Sequence, residues 1–148
     1  MRALIQRVSE GSVVINGNTH ASIGKGFVIM LGVRKGDTRD QAMFLADKCA
    51  NLRVFEDREG KMNLGLKDVN GSALIISQFT LYADAQKGNR PGFGEAARSE
   101  DAEPLYQMFV DRMRTNLGES KVATGIFGAM MEVRIVNDGP VTILIESK

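Results

Sequence analysis

The chain is nearly devoid of cysteine, histidine and tryptophan. Its 148 residues include one Cys, one His and no Trp. A single cysteine, Cys49, excludes a disulfide within the chain and leaves no basis for a cysteine zinc site. Cys49 falls in a helical pattern beside Leu45, Ala46 and Leu52 and reads as a small buried hydrophobe. The single histidine, His20, follows Asn16-Gly17-Asn18, a hairpin-turn signal, and reads as a solvated surface residue. A Ser-His or Cys-His nucleophile is therefore not expected. No cluster of ligating residues suggests a metal, and no cofactor is expected. Charge of one sign is also lacking. Nineteen basic residues face 18 acidic ones, for a net charge of +1. Contact with nucleic acid must then come from a local patch. No apolar run approaches the ~18–20 residues that span a bilayer, and the N-terminus is no signal peptide. The expectation is a cytoplasmic protein with no membrane association.

What is present is ordinary globular composition, with 43% hydrophobic and 25% charged residues. Residues 1–148 read as a single domain, without repeats or linkers. Strands are expected at Ala3 to Val8, Ser12 to Ile15 and Thr19 to Ile23, the last two joined as a hairpin by the Asn-Gly turn. Phe27 to Val33 reads as a strand buried on both faces. Thr38 and Gln41 resemble a capping box for an amphipathic helix over Arg39 to Asn51. Arg53 to Glu56 reads as a short strand, Asp57 to Asn63 as a polar loop, and Ala73 to Leu81 as a second buried strand. Ala83 to Ser99 is a long loop. A second helix starts near Asp101 with Pro104 in its first turn and an inner stripe of Leu105, Met108, Phe109, Arg112 and Met113. Two strands, Met131 to Val136 and Val141 to Glu146, close the chain around a turn at Asn137 to Pro140. The fold class is α/β, mixed and predominantly antiparallel β, with two helices packed on one side.

Two segments stand at the edges of apolar runs: Ser77-Gln78-Phe79-Thr80 and Asn137-Asp138-Gly139-Pro140-Val141-Thr142. Neither holds a base. A strand leaving a buried sheet holds its backbone N–H groups rigidly, and such donors stabilise an oxyanion. Thr80 is a nucleophile only if something activates it, so positioning ranks ahead of attack. Gly139-Pro140 suits an ordinary turn. It also offers two unhindered carbonyls on a stiff piece of backbone. As structure alone, the same segments are a polar strand end and a connection.

Together they resemble the D-aminoacyl-tRNA deacylase family, from Met1 to near the C-terminus. Ser77 to Thr80 resembles its SQFT motif, and Asn137 to Thr142 its N-x-G-P-x-T motif. Leu4 to Val8, Gly60 to Leu64 and Arg90 to Phe93 are supporting matches. Ser77, where an animal-type relative has Pro, is similar to the D-specific branch.

The resemblance implies a homodimer with the active site at the interface, acting on the aminoacyl-tRNA 3′ end and not on DNA. It implies that Gly139-Pro140 is cis, enters the other subunit's pocket and excludes L-aminoacyl groups, with Arg7 holding the motif. Asn137 and Thr142 fall within that motif and are expected as structural support. Ser77 and Gln78 would bind substrate, and the Phe79 and Thr80 amides would face the ester carbonyl. Phe127 and Met131 would line an adenosine pocket. The RNA 2′-hydroxyl would assist water, and glycyl esters would also be cleaved. Lys61, Lys87, Arg90 and Arg98 are candidates for tRNA phosphates. Two other readings stay open: a small esterase with Thr80 as nucleophile, and a non-catalytic dimeric module that binds RNA or a metabolite.

Overall fold

The computed structural model describes residues 1–148. The chain begins with β1 (Arg2–Ile15), β2 (Asn18–Ile23) and β3 (Gly26–Gly32), followed by α1 (Arg39–Asn51). Next come β4 (Phe55–Glu56), β5 (Met62–Leu64) and β6 (Ser72–Ser77), which leads into a 3₁₀ turn at Phe79–Tyr82. Then α2 (Ser99–Leu117), β7 (Val122–Thr124) and β8 (Glu132–Glu146) complete the chain.

Six strands make one sheet in the order β2-β1-β3-β6-β7, with β8 on the other side of β1. The β1 pairings are antiparallel, while β3-β6 and β6-β7 are parallel. Alternation of side chains gives the sheet two different faces. On one face Ala3, Ile5, Phe27, Ile29, Leu31, Ala73 and Ile75 pack with residues of both helices. On the other, Val8, Val13, Ile23, Val28, Leu74 and Ile76 form a smaller core as the strongly bent sheet nearly closes on itself. The expected mixed α/β fold, with both helices on one side, is what the chain adopts.

The largest departure concerns β1 and β8. Each was expected as two short strands, but each is continuous, at 14 and 15 residues. The Asn137 to Pro140 segment is therefore not a hairpin turn. It is an irregularity inside one strand, opposite shifts in β1 between Gln6 and Val8 and between Val8 and Glu10. Pro140 lacks an N–H, and β8 is an edge strand, where a missing ladder donor is tolerated.

β6 stops at Ser77, earlier than the expected Leu81. Its neighbour β3 ends at Gly32, and the last rung is Gln78 N–H to Leu31 O at 2.8 Å. The chain then folds over Gly32, where a Cβ would stand 3.0 Å from Leu81 Cβ and 3.1 Å from Gln78 O. Smaller differences follow the same logic of local partners. Met62 and Asn63, expected in a loop, belong to β5, in which Met62 and Leu64 pair with a β4 shorter than Arg53 to Glu56. α2 begins at Ser99, which places Pro104 beyond the first turn. Its buried stripe is Ala102, Tyr106, Phe109, Val110 and Met113, because Arg112 instead reaches Asp47 on α1. α1 has the expected bounds and a complete Thr38–Gln41 capping box. No helix is long and apolar enough to cross a membrane.

Candidate functional site

The end of β6 opens into a cavity of about 570 Å³. Ser77, Gln78 and Phe79 form one wall, Phe127, Met130 and Met131 another, and Arg98 and Ala102 of the α2 start a third. Each wall has a structural cause. Ser77 lies where pairing with β3 ends. Phe127 leans on Tyr106 of α2, ring centroids 5.6 Å apart, and the Tyr106 hydroxyl donates to Ile75 O at 2.9 Å. Met131 lies over Gly125, where a Cβ would come within 2.6 Å of its sulfur. Phe79, 56% exposed, meets Phe93 edge-on at 5.1 Å at the rim.

The 3₁₀ turn starts at Phe79, so no carbonyl of the turn itself accepts from the Phe79 or Thr80 amide. The Gln78 side-chain amide donates to Thr80 Oγ1. An amide in either orientation is no base, so nothing here removes the Thr80 proton. The cavity lining contains no Asp, Glu, His, Lys or Cys, and its one charged residue is Arg98. No group of three or more His, Cys, Asp or Glu residues is arranged to hold a metal ion.

The second segment is built on the long β1–β8 pair. Gly139 and Pro140 are exposed, and the bond between them is cis. Arg7 is the one charged residue in the buried core, 7% exposed. Its ligands are carbonyl oxygens: Nη1 donates to Val54 O at 2.7 Å and Nε to Asp138 O at 3.0 Å. Asn137 Oδ1 accepts from Val141 N at 3.1 Å, bridging the irregular backbone. Asn137 Nδ2 also donates to Thr142 Oγ1 at 3.1 Å. Both side chains reach Gln6 on β1.

The cavity thus gathers Ser77, Gln78, Phe79, Phe127 and Met131, with Thr80 adjacent on the 3₁₀ turn. Gly139, Pro140, Arg7, Asn137 and Thr142 form a separate cluster. Val133 of β8 lines the cavity and Gly139 lies six residues on, roughly 20 Å along an extended strand. Of the basic candidates, Arg98 borders the cavity, whereas Lys61, Lys87 and Arg90 are exposed elsewhere. Sequence reading missed Gln6 as a site residue and the Val54 carbonyl as an Arg7 ligand. Gln6 is readable only once β1 and β8 are known to pair.

Strong pKa shifts lie outside the cavity lining. Burial pushes the Cys49 thiol up to about 12, which leaves it an inert hydrophobe. Burial likewise raises Tyr106 to about 12, so its hydroxyl stays a donor. The Arg112 guanidinium, helped by Asn116, holds the Asp47 carboxyl below its ordinary value.

Fold and site together define a small mixed α/β protein with a half-open cavity whose lining holds no carboxylate, histidine, lysine or thiol. The chain belongs to the D-Tyr-tRNA(Tyr) deacylase family, whose sequence profile matches residues 4–146. A relative from Thermomicrobium roseum, named D-aminoacyl-tRNA deacylase, is 56% identical over 99% of this chain and 94% of its own length. One of the same name from Halalkalibacterium halodurans is 51% identical over the full length of both chains. A solved structure described as c-Myc DNA Unwinding Element Binding Protein is 40% identical, with a TM-score of 0.95 over 100% of this chain and 99% of that one. Another, of a probable eukaryotic D-amino acid tRNA deacylase, is 17% identical with a TM-score of 0.84, covering 98% of each chain, and speaks for the fold.

Proposed function

We propose that residues 1–148 act as a single deacylase domain, hydrolysing the ester of D-aminoacyl-tRNA to free D-amino acid and tRNA. The observation that carries this reading is a cavity whose edge is the first turn of a 3₁₀ segment, at Phe79, and whose lining holds no titratable base. An aminoacyl ester on ribose is already activated, so positioning and oxyanion stabilisation suffice. The terminal adenosine occupies the cavity between Phe79, Phe127 and Met131. The Phe79 and Thr80 amides receive the ester carbonyl oxygen. Water attacks that carbon while the neighbouring ribose 2′-hydroxyl assists the proton transfer. The 3′-oxygen then leaves with a proton.

Stereoselection falls to Gly139 and Pro140, whose carbonyls take the substrate amino group and leave no room for an L side chain. Glycyl esters, lacking that side chain, are also cleaved. Gly139 cannot reach its own cavity along β8, which supports a homodimer in which each motif enters the partner's cavity. The cross-strand row Met30–Leu4–Leu144 supports this too: it is an incompletely covered apolar strip, Leu144 being 53% exposed. Such an enzyme works in the cytoplasm, where tRNA is charged. Lys61, Lys87, Arg90 and Arg98 meet tRNA phosphates. The ribose 2′-hydroxyl, absent from DNA, is the group that makes an RNA end the ligand.

The test compares D- and L-tyrosyl-tRNA, each with and without the terminal 2′-hydroxyl, in the presence and absence of excess DNA. Turnover of the D ester, reduced about a hundredfold or more without the 2′-hydroxyl, is the expected result. DNA is expected not to compete. Equal hydrolysis of both enantiomers, or a trapped acyl-Thr80, would overturn the reading.

A further inference from the structure

Neighbouring residues of β1 grip the Gly139–Pro140 segment from opposite faces of the sheet. Arg7 faces the helix-side core and holds the Asp138 carbonyl at 3.0 Å. Gln6, one residue earlier, necessarily points the other way. It lies directly opposite Thr142 in the β1–β8 register. Its Oε1 accepts from Thr142 Oγ1 at 2.5 Å and also from Asn137 Nδ2. Asn137 in turn holds the Val141 amide at 3.1 Å. A single acceptor oxygen therefore ties together the residues that enter and leave the irregular segment. Regular ladder pairing is interrupted between Val8 and Gln6, so backbone hydrogen bonds do not fix the segment there.

We propose that Gln6 is a specificity-determining positioning residue: it sets the direction of the Gly139 and Pro140 carbonyls by accepting hydrogen bonds from Asn137 and Thr142. Arg7 pins one carbonyl, but a single pivot leaves rotation about that point. The Gln6 network supplies the second, off-axis restraint. A wall that discriminates by shape must be held to within about 0.5 Å to keep its selectivity. Gln6 touches no reacting atom, so its effect is on which enantiomer is turned over. The proposal rests on the reading of Gly139–Pro140 as the stereochemical filter.

The experiment measures kcat/KM for D- and L-tyrosyl-tRNA with wild type, Gln6→Leu and Gln6→Glu, together with molecular mass and Tm. Gln6→Leu removes the acceptor at similar volume, and Gln6→Glu keeps an acceptor at the same reach. The expected result is a D-to-L ratio at least tenfold lower in Gln6→Leu, restored in Gln6→Glu, at unchanged mass. A general loss of structure would lower both rates alike and would not compress the ratio. Thr142→Val and Asn137→Leu remove the donors from the opposite strand and are expected to compress the ratio as well, which keeps the proposal testable if Gln6→Leu does not fold. A wild-type ratio in folded Gln6→Leu, or a Gln6→Glu as relaxed as Gln6→Leu, would overturn it. Absence of any D preference in wild type would instead remove the filter reading itself.

Discussion

Arg7 is a buried cation with no buried anion beside it. Its charge is met only by the dipoles of the Val54 and Asp138 carbonyls, so the guanidinium acts as a geometric anchor. Gly139 lies against it with φ +129, and a Cβ there would meet Val141 Cγ2 at 2.8 Å and Arg7 Nη2 at 3.0 Å. Gly139→Ala is therefore expected to cost about 1–3 kcal/mol, read as a lower urea midpoint. Deacylation of D-aminoacyl-tRNA is expected to fall at least roughly tenfold with it, since a ~1 Å shift of a positioning group has effects of this order or larger. At Asp47 the carboxyl is held below its ordinary value chiefly by Arg112. Such a group contributes stability above its unfolded pKa and loses that contribution as pH falls through its folded one. Asp47→Asn should thus lower Tm near neutral pH and make the fall in Tm on acidification shallower, with little difference from wild type once both are fully acidified.

At the scale of elements, α1 was legible almost to the residue because its signals are local: Thr38 and Gln41 satisfy each other's backbone donors, and the apolar stripe repeats at helical spacing. The β1–β2 hairpin was legible for the same reason, through Asn16 and Gly17 at its turn. The continuity of β1 and β8 was not. Asp-Gly-Pro is a turn signal, and only a partner strand with a matching irregularity turns it into a bend within one strand. The Ser77 to Thr80 segment was legible as the polar exit of a buried strand. Its 3₁₀ turn was not, since that depends on where β3 runs out. The cavity also draws on α2, through the Tyr106 hydroxyl that holds Ile75 O and the ring that backs Phe127. Tyr106→Phe removes one of two donors to that buried carbonyl and leaves the Gly125 N–H at 3.3 Å. The expected loss is about 0.5–1.5 kcal/mol in urea unfolding. KM for aminoacyl-tRNA is expected to rise more than kcat falls, because Phe127 is a wall of the cavity and not a reacting group.

For the whole molecule, the cavity and the Gly139–Pro140 segment belong to one chain but not to one place in it. If each functional site combines a cavity from one copy with a motif from another, two different defects can complement. Gly139→Val spoils the motif, and Phe127→Asp spoils the cavity. Each alone is expected to be nearly inactive. Mixed, unfolded and refolded together, they should recover about a quarter of wild-type activity, as random pairing yields mixed dimers with one intact site apiece. No recovery, with mixed dimers verified by mass, would show that each chain works alone.

The pairing of the first long strand with the last joins residues 144 positions apart, Arg2 to Glu146. Contacts so distant in sequence form late, after the entropy of closing a long loop has been overcome. β8 carries both Val133 of the cavity wall and the Gly139–Pro140 segment. A nascent or clipped polypeptide that stops before β8 therefore lacks both the Val133 part of the cavity wall and the Gly139–Pro140 segment. Both features are completed by one late-pairing strand, so a truncated chain is left with neither.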